Sequence, residues 1–313
     1  MKGKISKDVL FGIFVVLLFL STPLFMTYLP NMSRFEIYFF KNPEIREPLL
    51  KVPLLLHDAG MDKLAVCRIY LFLINLFTCV SSWYAFSRIT DNQYAGLLGS
   101  MSYSLCIYSM TIRYDKGLLG EAAAYAIVPL AVCGLWGLIK RDKKELGFWA
   151  FLLAAGLIGI VYSCISFGFI IYASIILVGI VFWRKLSCEH RWLWLMTASA
   201  VSIIAALPIL APWIVQMGGI PAVARYGVEI IVSDRIRLVW ASAWSMAISL
   251  LGGYVYRVHR QKAGIFFVCI VMIQIFCGIF FMNELLYSTE RENMDEVSVS
   301  ESYMHVLSDD IEV

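Results

Sequence analysis

Charge is scarce in this sequence. Asp, Glu, Lys and Arg make up only 16% of its 313 residues, whereas a soluble domain carries about a quarter. Histidine is scarcer: His57, His190, His259 and His305 are scattered over separate loops, and no metal site is expected from them. The cysteines form no CxxC pair and no Cys/His metal spacing. Cys79, Cys106, Cys133, Cys269 and Cys277 lie inside apolar runs, where a thiol behaves as a small hydrophobe, which argues against a disulfide framework. No internal repeat of fixed period is visible either.

Apolar residues are abundant, at 60% of the chain, and they come in blocks. "VLFGIFVVLLFLSTPLFMTYL" (9–29) and "GIFFVCIVMIQIFCGIFFMNELL" (264–286) are each about long enough to cross a hydrocarbon core of roughly 30 Å as a helix. The basic N-terminus followed by a long apolar run has the outline of a secretory signal, but the run has full span length and no A-x-A-like site follows. It is expected to be a retained first helix. The expected fold is an all-α, polytopic transmembrane bundle over residues 1–287. Its nine spans lie near 9–29, 64–86, 94–112, 119–139, 147–163, 166–183, 192–216, 238–256 and 264–287. The apolar run 147–183 is too long for one crossing, and "YSCIS" (162–166) is the expected hairpin. Between the first two spans, "PLLKVPLLL" is too short to cross and suits the outer interface.

Basic residues concentrate in alternate loops. With the N-terminus inside, the inner loops hold 14 of the 26 lysines and arginines in 37 positions, and the outer segments hold 11 in more than twice that length. The positive-inside rule therefore orients the chain N-inside and C-outside. The tail 288–313 carries eight acids and one arginine with few apolar residues, and is expected to be disordered.

In that orientation "RYDKGLLGEAAAYAIVPL" (113–130) opens the fourth span on the outer face, with four charged groups and two glycines in an oily stretch. A helix N-terminus favours an anion, and Asp115 is expected to cap it. Glu121, expected about one and a half turns in, needs a partner or a wet cavity at that depth. Gly117 and Gly120 suggest a strip of close approach for a helix or a lipid chain. The structural alternative gives every group a bland role. Arg113 and Lys116 would anchor the interface, Glu121 would pair with one of them, and Tyr103, Tyr108, Tyr114 and Tyr125 would be belt or packing residues.

A family resemblance lies in the same region, over residues 64–140. "LINLFTCVSSWYAFSRI" followed by "GLLGSMSYSLCIYSMTIRYDKGLLGEAAAYAIVPLAVCGLWGLI" resembles a pattern in bacterial multi-pass proteins of the glycosyltransferase C superfamily. The likeness is to YfhO-like members and to membrane proteins described as related to 6-pyruvoyl-tetrahydropterin synthase. The matching residues are Tyr114, Lys116, Gly120, Glu121, Pro129, Leu130, Gly134 and Leu135, with Lys116 where relatives usually have arginine. The resemblance implies an outer-face transferase that takes a sugar from a polyprenyl-phosphate carrier and passes it to a cell-envelope glycan. It implies no other cofactor and no nucleic acid. Membrane lipid would be its partner, and the bacterial cytoplasmic membrane its location. On that reading Glu121, Asp115 and Glu36 are the catalytic carboxylates, one of them taking a proton from the acceptor hydroxyl. Arg113, Lys116 and Arg34 would hold the lipid phosphate. Relatives carry an essential first-loop Asp followed by Phe-His and Arg-Ile. "LPNMSRFEIYF" lacks the Asp and the His and offers Glu36 instead. Ser163-Cys164 stands where relatives have Ser-His. A shortened, degenerate or split member fits these departures. The competing functions are a non-catalytic membrane scaffold that binds a lipid or a partner protein and, third, a transporter.

Overall fold

Local sequence sets the helix boundaries. The computed structural model describes residues 5–25, 49, 51–115, 117–140, 143–187, 190–216, 219 and 272–273. The expected eighth and ninth spans, the acidic tail, Arg34, Glu36 and Lys116 lie outside the described residues. Helix α1 is Lys7–Leu20, followed by a 3-10 turn at Thr22–Phe25. The ladder tightens there, the Leu24 N–H bonding the Ser21 carbonyl three residues back at 3.0 Å, and residues 26–29 of the expected span lie outside the described residues. Helix α2, Lys51–Asp58, is the short piece expected at the interface. Asp62 starts α3, Lys63–Thr90, by accepting from the backbone N–H groups of Leu64 and Ala65 at 3.0 and 3.4 Å. Asp91 ends it in the left-handed region (φ 55°), and Asn92 caps α4, Gln93–Ser104, in the same way.

The expected third span is not one helix. It breaks at Leu105–Cys106, resumes as α5, Ile107–Met110, and widens into a π-turn at Thr111–Asp115. The turn closes when the Leu118 N–H reaches the Ile112 carbonyl at 2.7 Å. Gly117 takes φ +62°, a conformation that a side chain would strain. Gly117 thus serves the backbone rather than a helix-packing strip. The later helices α6 Leu119–Lys140, α7 Leu146–Ser163, α8 Ile165–Val181 and α10 Arg191–Gln216 lie close to their expected limits, and a short α9, Trp183–Ser187, occupies part of an expected loop. Cys164, in extended conformation, separates α7 from α8 where "YSCIS" predicted the break. Among the described residues the fold is all-helical. Four helices, α3, α6, α7 and α10, are long and apolar enough to cross a membrane, with α8 as a shorter apolar helix.

Helix α6 is the centre, packed between α3 and α7. Outward from α3 lie α4 and α1, and outward from α7 lie α10 and α8. Close approach is set by small residues. A Cβ on Gly134 would lie 2.5 Å from the Leu153 backbone nitrogen, and one on Gly156 would lie 2.9 Å from Ala131. The ends sort into two sets. The Ser6 N–H donates to the Gln93 side chain at 3.1 Å, and the Arg191 guanidinium donates to the Leu138 carbonyl at 3.1 Å. At the opposite ends, Tyr114 meets the Leu20 carbonyl at 2.7 Å and Tyr162 meets the Ala205 carbonyl at 2.9 Å. Among the described residues, the segments near Ser6, Gln93, Leu138 and Arg191 thus lie at one end of the bundle.

Candidate functional site

The core between α3, α4 and α6 is polar, for a reason visible in the sequence. In lipid, helices gain little from burying apolar surface against each other, so small residues and interhelical hydrogen bonds hold them together. Asn75, Thr78, Ser81 and Ser82 occupy the buried side of α3. The Ser81 hydroxyl donates to the Ala126 carbonyl at 2.6 Å, Ser82 and Ser100 share a hydrogen bond of 2.9 Å, and Ser100 donates to the Cys79 carbonyl at 2.9 Å.

Pro129 explains the next layer. It has no N–H, so the carbonyl four residues back, on Tyr125, loses its helical partner. The Tyr103 hydroxyl fills the gap, donating to that carbonyl at 2.7 Å, and the Tyr125 hydroxyl donates to the Tyr103 carbonyl at 2.9 Å. The two rings stack with centroids 4.2 Å apart. Tyr103, Tyr108, Tyr114 and Tyr125 are all buried, so they belong to the packing and not to an interfacial belt.

Arg113 sits above this pair and is the largest fully buried side chain, with 0% of its surface exposed. Its Nη1 donates to the carbonyl and hydroxyl of Ser109, and its Nη2 donates to Thr78 Oγ1 at 2.6 Å. The guanidinium carbon stands 5.9 Å from the centre of the Tyr125 ring. Nε has no hydrogen-bond partner among the described residues. Arg113 is therefore not the interface anchor of the structural alternative, nor is it bonded to Glu121. The third span ends early, and the π-turn swings residue 113 inward onto α3. Such π-turns recur at functional sites.

The expected carboxylates stand differently from their sequence reading. Helix α6 begins at Leu119, and the Ala122 N–H bonds the Leu118 carbonyl. Asp115, the last residue of the π-turn, is thus three residues ahead of the capping position. Glu121 lies in the first helical turn, not one and a half turns deep, and is half-buried. There the helix dipole favours its charge. Glu121 precedes Tyr125 by one turn on the same face, and Tyr125 faces Arg113. The structure thus brings Arg113 and the Glu121 face of α6 to one end of the polar core. Glu36, Arg34 and Lys116 lie outside the described residues, so no convergence with them is visible.

Sequence reasoning placed none of Asn75, Thr78 and Ser109 in this core, although Asn75 stands out as a deep polar residue. Ser109 stands one helical turn before Arg113, and Asn75 and Thr78 stand one turn apart on α3. That spacing was the available signal. The Asn75 amide donates to the Tyr114 hydroxyl at 2.8 Å, to Ser21 Oγ at 3.2 Å and to the Leu20 carbonyl at 3.4 Å, tying the end of α1 to the π-turn.

Comparison with protein-family models, curated proteins and solved structures finds no match to this chain. The functional reading rests on the residues alone.

Proposed function

We propose that this chain is an outer-face, glycosyltransferase-C-like membrane protein that handles a polyprenyl-phosphate-linked sugar for cell-envelope glycan modification. In this reading nine spans cross a bacterial cytoplasmic membrane, N-terminus inside and C-terminus outside, and the end that carries Arg113 and Glu121 opens outward. One observation carries it. A fully buried guanidinium has no carboxylate bonded to it among the described residues. A buried charge is costly unless it is paired, and a lipid phosphate is an anion of suitable charge. Arginine, always charged and planar, is the side chain best suited to meet a phosphate. Glu121, next along the same side of α6, is the residue for proton transfer from an acceptor hydroxyl. Lys116 and Arg34 would add charge around the phosphate, and Asp115 and Glu36 would add carboxylates to the site.

A second reading, a non-catalytic scaffold that binds a lipid or a partner protein, is favoured by the enclosure of Arg113 and by the missing first-loop Asp.

The test is complementation of cells lacking the chain, with the lipid-linked sugar pool followed by mass spectrometry. Under the transferase reading the wild-type chain draws the pool down and Glu121→Gln leaves it high. Equal restoration by both would favour the scaffold, and an unchanged pool with either would contradict transfer.

A further inference from the structure

The knot around Asn75 and Arg113 contains two buried polar atoms of opposite kind with no partner among the described residues: the donor Arg113 Nε–H and the acceptor Asn75 Oδ1. Both residues are fully buried. They belong to one network. Thr78, which holds Arg113 Nη2, is one turn on from Asn75 along α3, and Tyr114, which bonds Asn75, is the residue after Arg113. The Asn75 amide cannot simply be turned over. Its nitrogen faces the Leu20 carbonyl, which only a donor satisfies, and Tyr114 already spends its own proton on that carbonyl. Oδ1 is thus fixed on the other side of the amide. On arginine, Nε–H and Nη2 form one edge of the fork, and Thr78 turns that edge toward α3.

We infer that Arg113 and Asn75 form a built site for one hydroxyl group, which accepts from Nε–H and donates to Oδ1. A hydroxyl is the smallest group that satisfies a lone donor and a lone acceptor together. A purely anionic oxygen would satisfy Nε–H and repel Oδ1. The hydroxyl has two sources, an ordered water or a hydroxyl of a lipid headgroup or sugar. The inference does not depend on sugar transfer and stands if that reading fails.

An experimental density map of the wild-type chain, at a resolution that shows ordered water, tests it. One sample is prepared in an amine-oxide detergent, which carries no hydroxyl, and a second in an alkyl glucoside. The expected result is a peak within hydrogen-bond distance of both Nε and Oδ1. Its presence in both samples assigns a water, and its presence only with the glucoside assigns a ligand hydroxyl. Asn75→Leu, similar in volume, is expected to lose the peak. Asn75→Asp is expected to lose it too, because its carboxylate takes Nε–H directly. A map in which Nε bonds Asn75 Oδ1 directly, or in which neither atom meets a shared peak in either sample, overturns the inference. So does a peak that survives Asn75→Leu unchanged.

Discussion

Helices α6 and α10 are equally apolar as sequences, yet 78% of the apolar window of α6 is buried inside the bundle and only 17% of that of α10. The difference follows from side-chain size and polarity, not from hydropathy. Helix α6 carries Gly120, Gly134 and Gly137 with a run of alanines, and its neighbour α3 meets it with serines and threonines. Helix α10 presents Trp192, Leu193, Trp194, Met196, Ile203 and Ile204 outward. In a membrane, apolar side chains gain little by turning inward, so small and polar residues decide what is central. The polar half of the bundle is also the half that holds Arg113.

Substitutions in the two halves should separate accordingly, read by unfolding in detergent. The largest effect is expected for Gly134→Val, which drives a side chain into the α7 backbone at Leu153. A loss of about 3 kcal/mol, the upper end of overpacking, is expected. Gly179→Val on α8, where a Cβ meets only the end of Leu195 at 3.7 Å, should change stability by about 0.5 kcal/mol or less. Equal effects would dissolve the distinction between the halves.

Tyr103→Phe comes next. It strips the Tyr125 carbonyl of its partner beside Pro129 and should cost about 1–3 kcal/mol. In a Pro129→Ala background the backbone regains its N–H, and the same change should cost about half as much. A cost independent of residue 129 would refute the link between the tyrosine and the proline. Ser82→Ala should cost less, about 0.6 kcal/mol, as single interhelical hydrogen bonds in membranes do. Smallest of all, Ile204→Ala on the outward side of α10 should shift stability by no more than about 0.5 kcal/mol.

Long apolar runs with clear caps were legible in the sequence. The limits of α6, α7, α8 and α10, and the break at Cys164, follow from the apolar blocks and the polar residues between them. The third span was not legible as drawn, because an apolar run does not reveal that its hydrogen-bond ladder changes from α to π at Thr111. That change of pitch displaces every later side chain, so Arg113 turned from an expected surface group into a core residue. Asp115 and Glu121 shifted for the same reason: Gly117 in the left-handed region delays the start of α6 to Leu119. The candidate site was legible as a neighbourhood but not as a network. Residues 113–121 stand out in the sequence by their charge, while Asn75, Thr78 and Ser109 are joined to Arg113 and Tyr114 only by folding.

The central claim is that a lipid phosphate matches the charge of Arg113, which is buried and bonded to no carboxylate among the described residues. Native mass spectrometry of the purified chain tests this most directly, comparing the wild type with Arg113→Gln and, as a control at the opposite end, Lys185→Gln. The account predicts an isoprenoid-phosphate adduct retained by the wild type and by Lys185→Gln and lost from Arg113→Gln. The same adduct on all three proteins, or none on any, would contradict it.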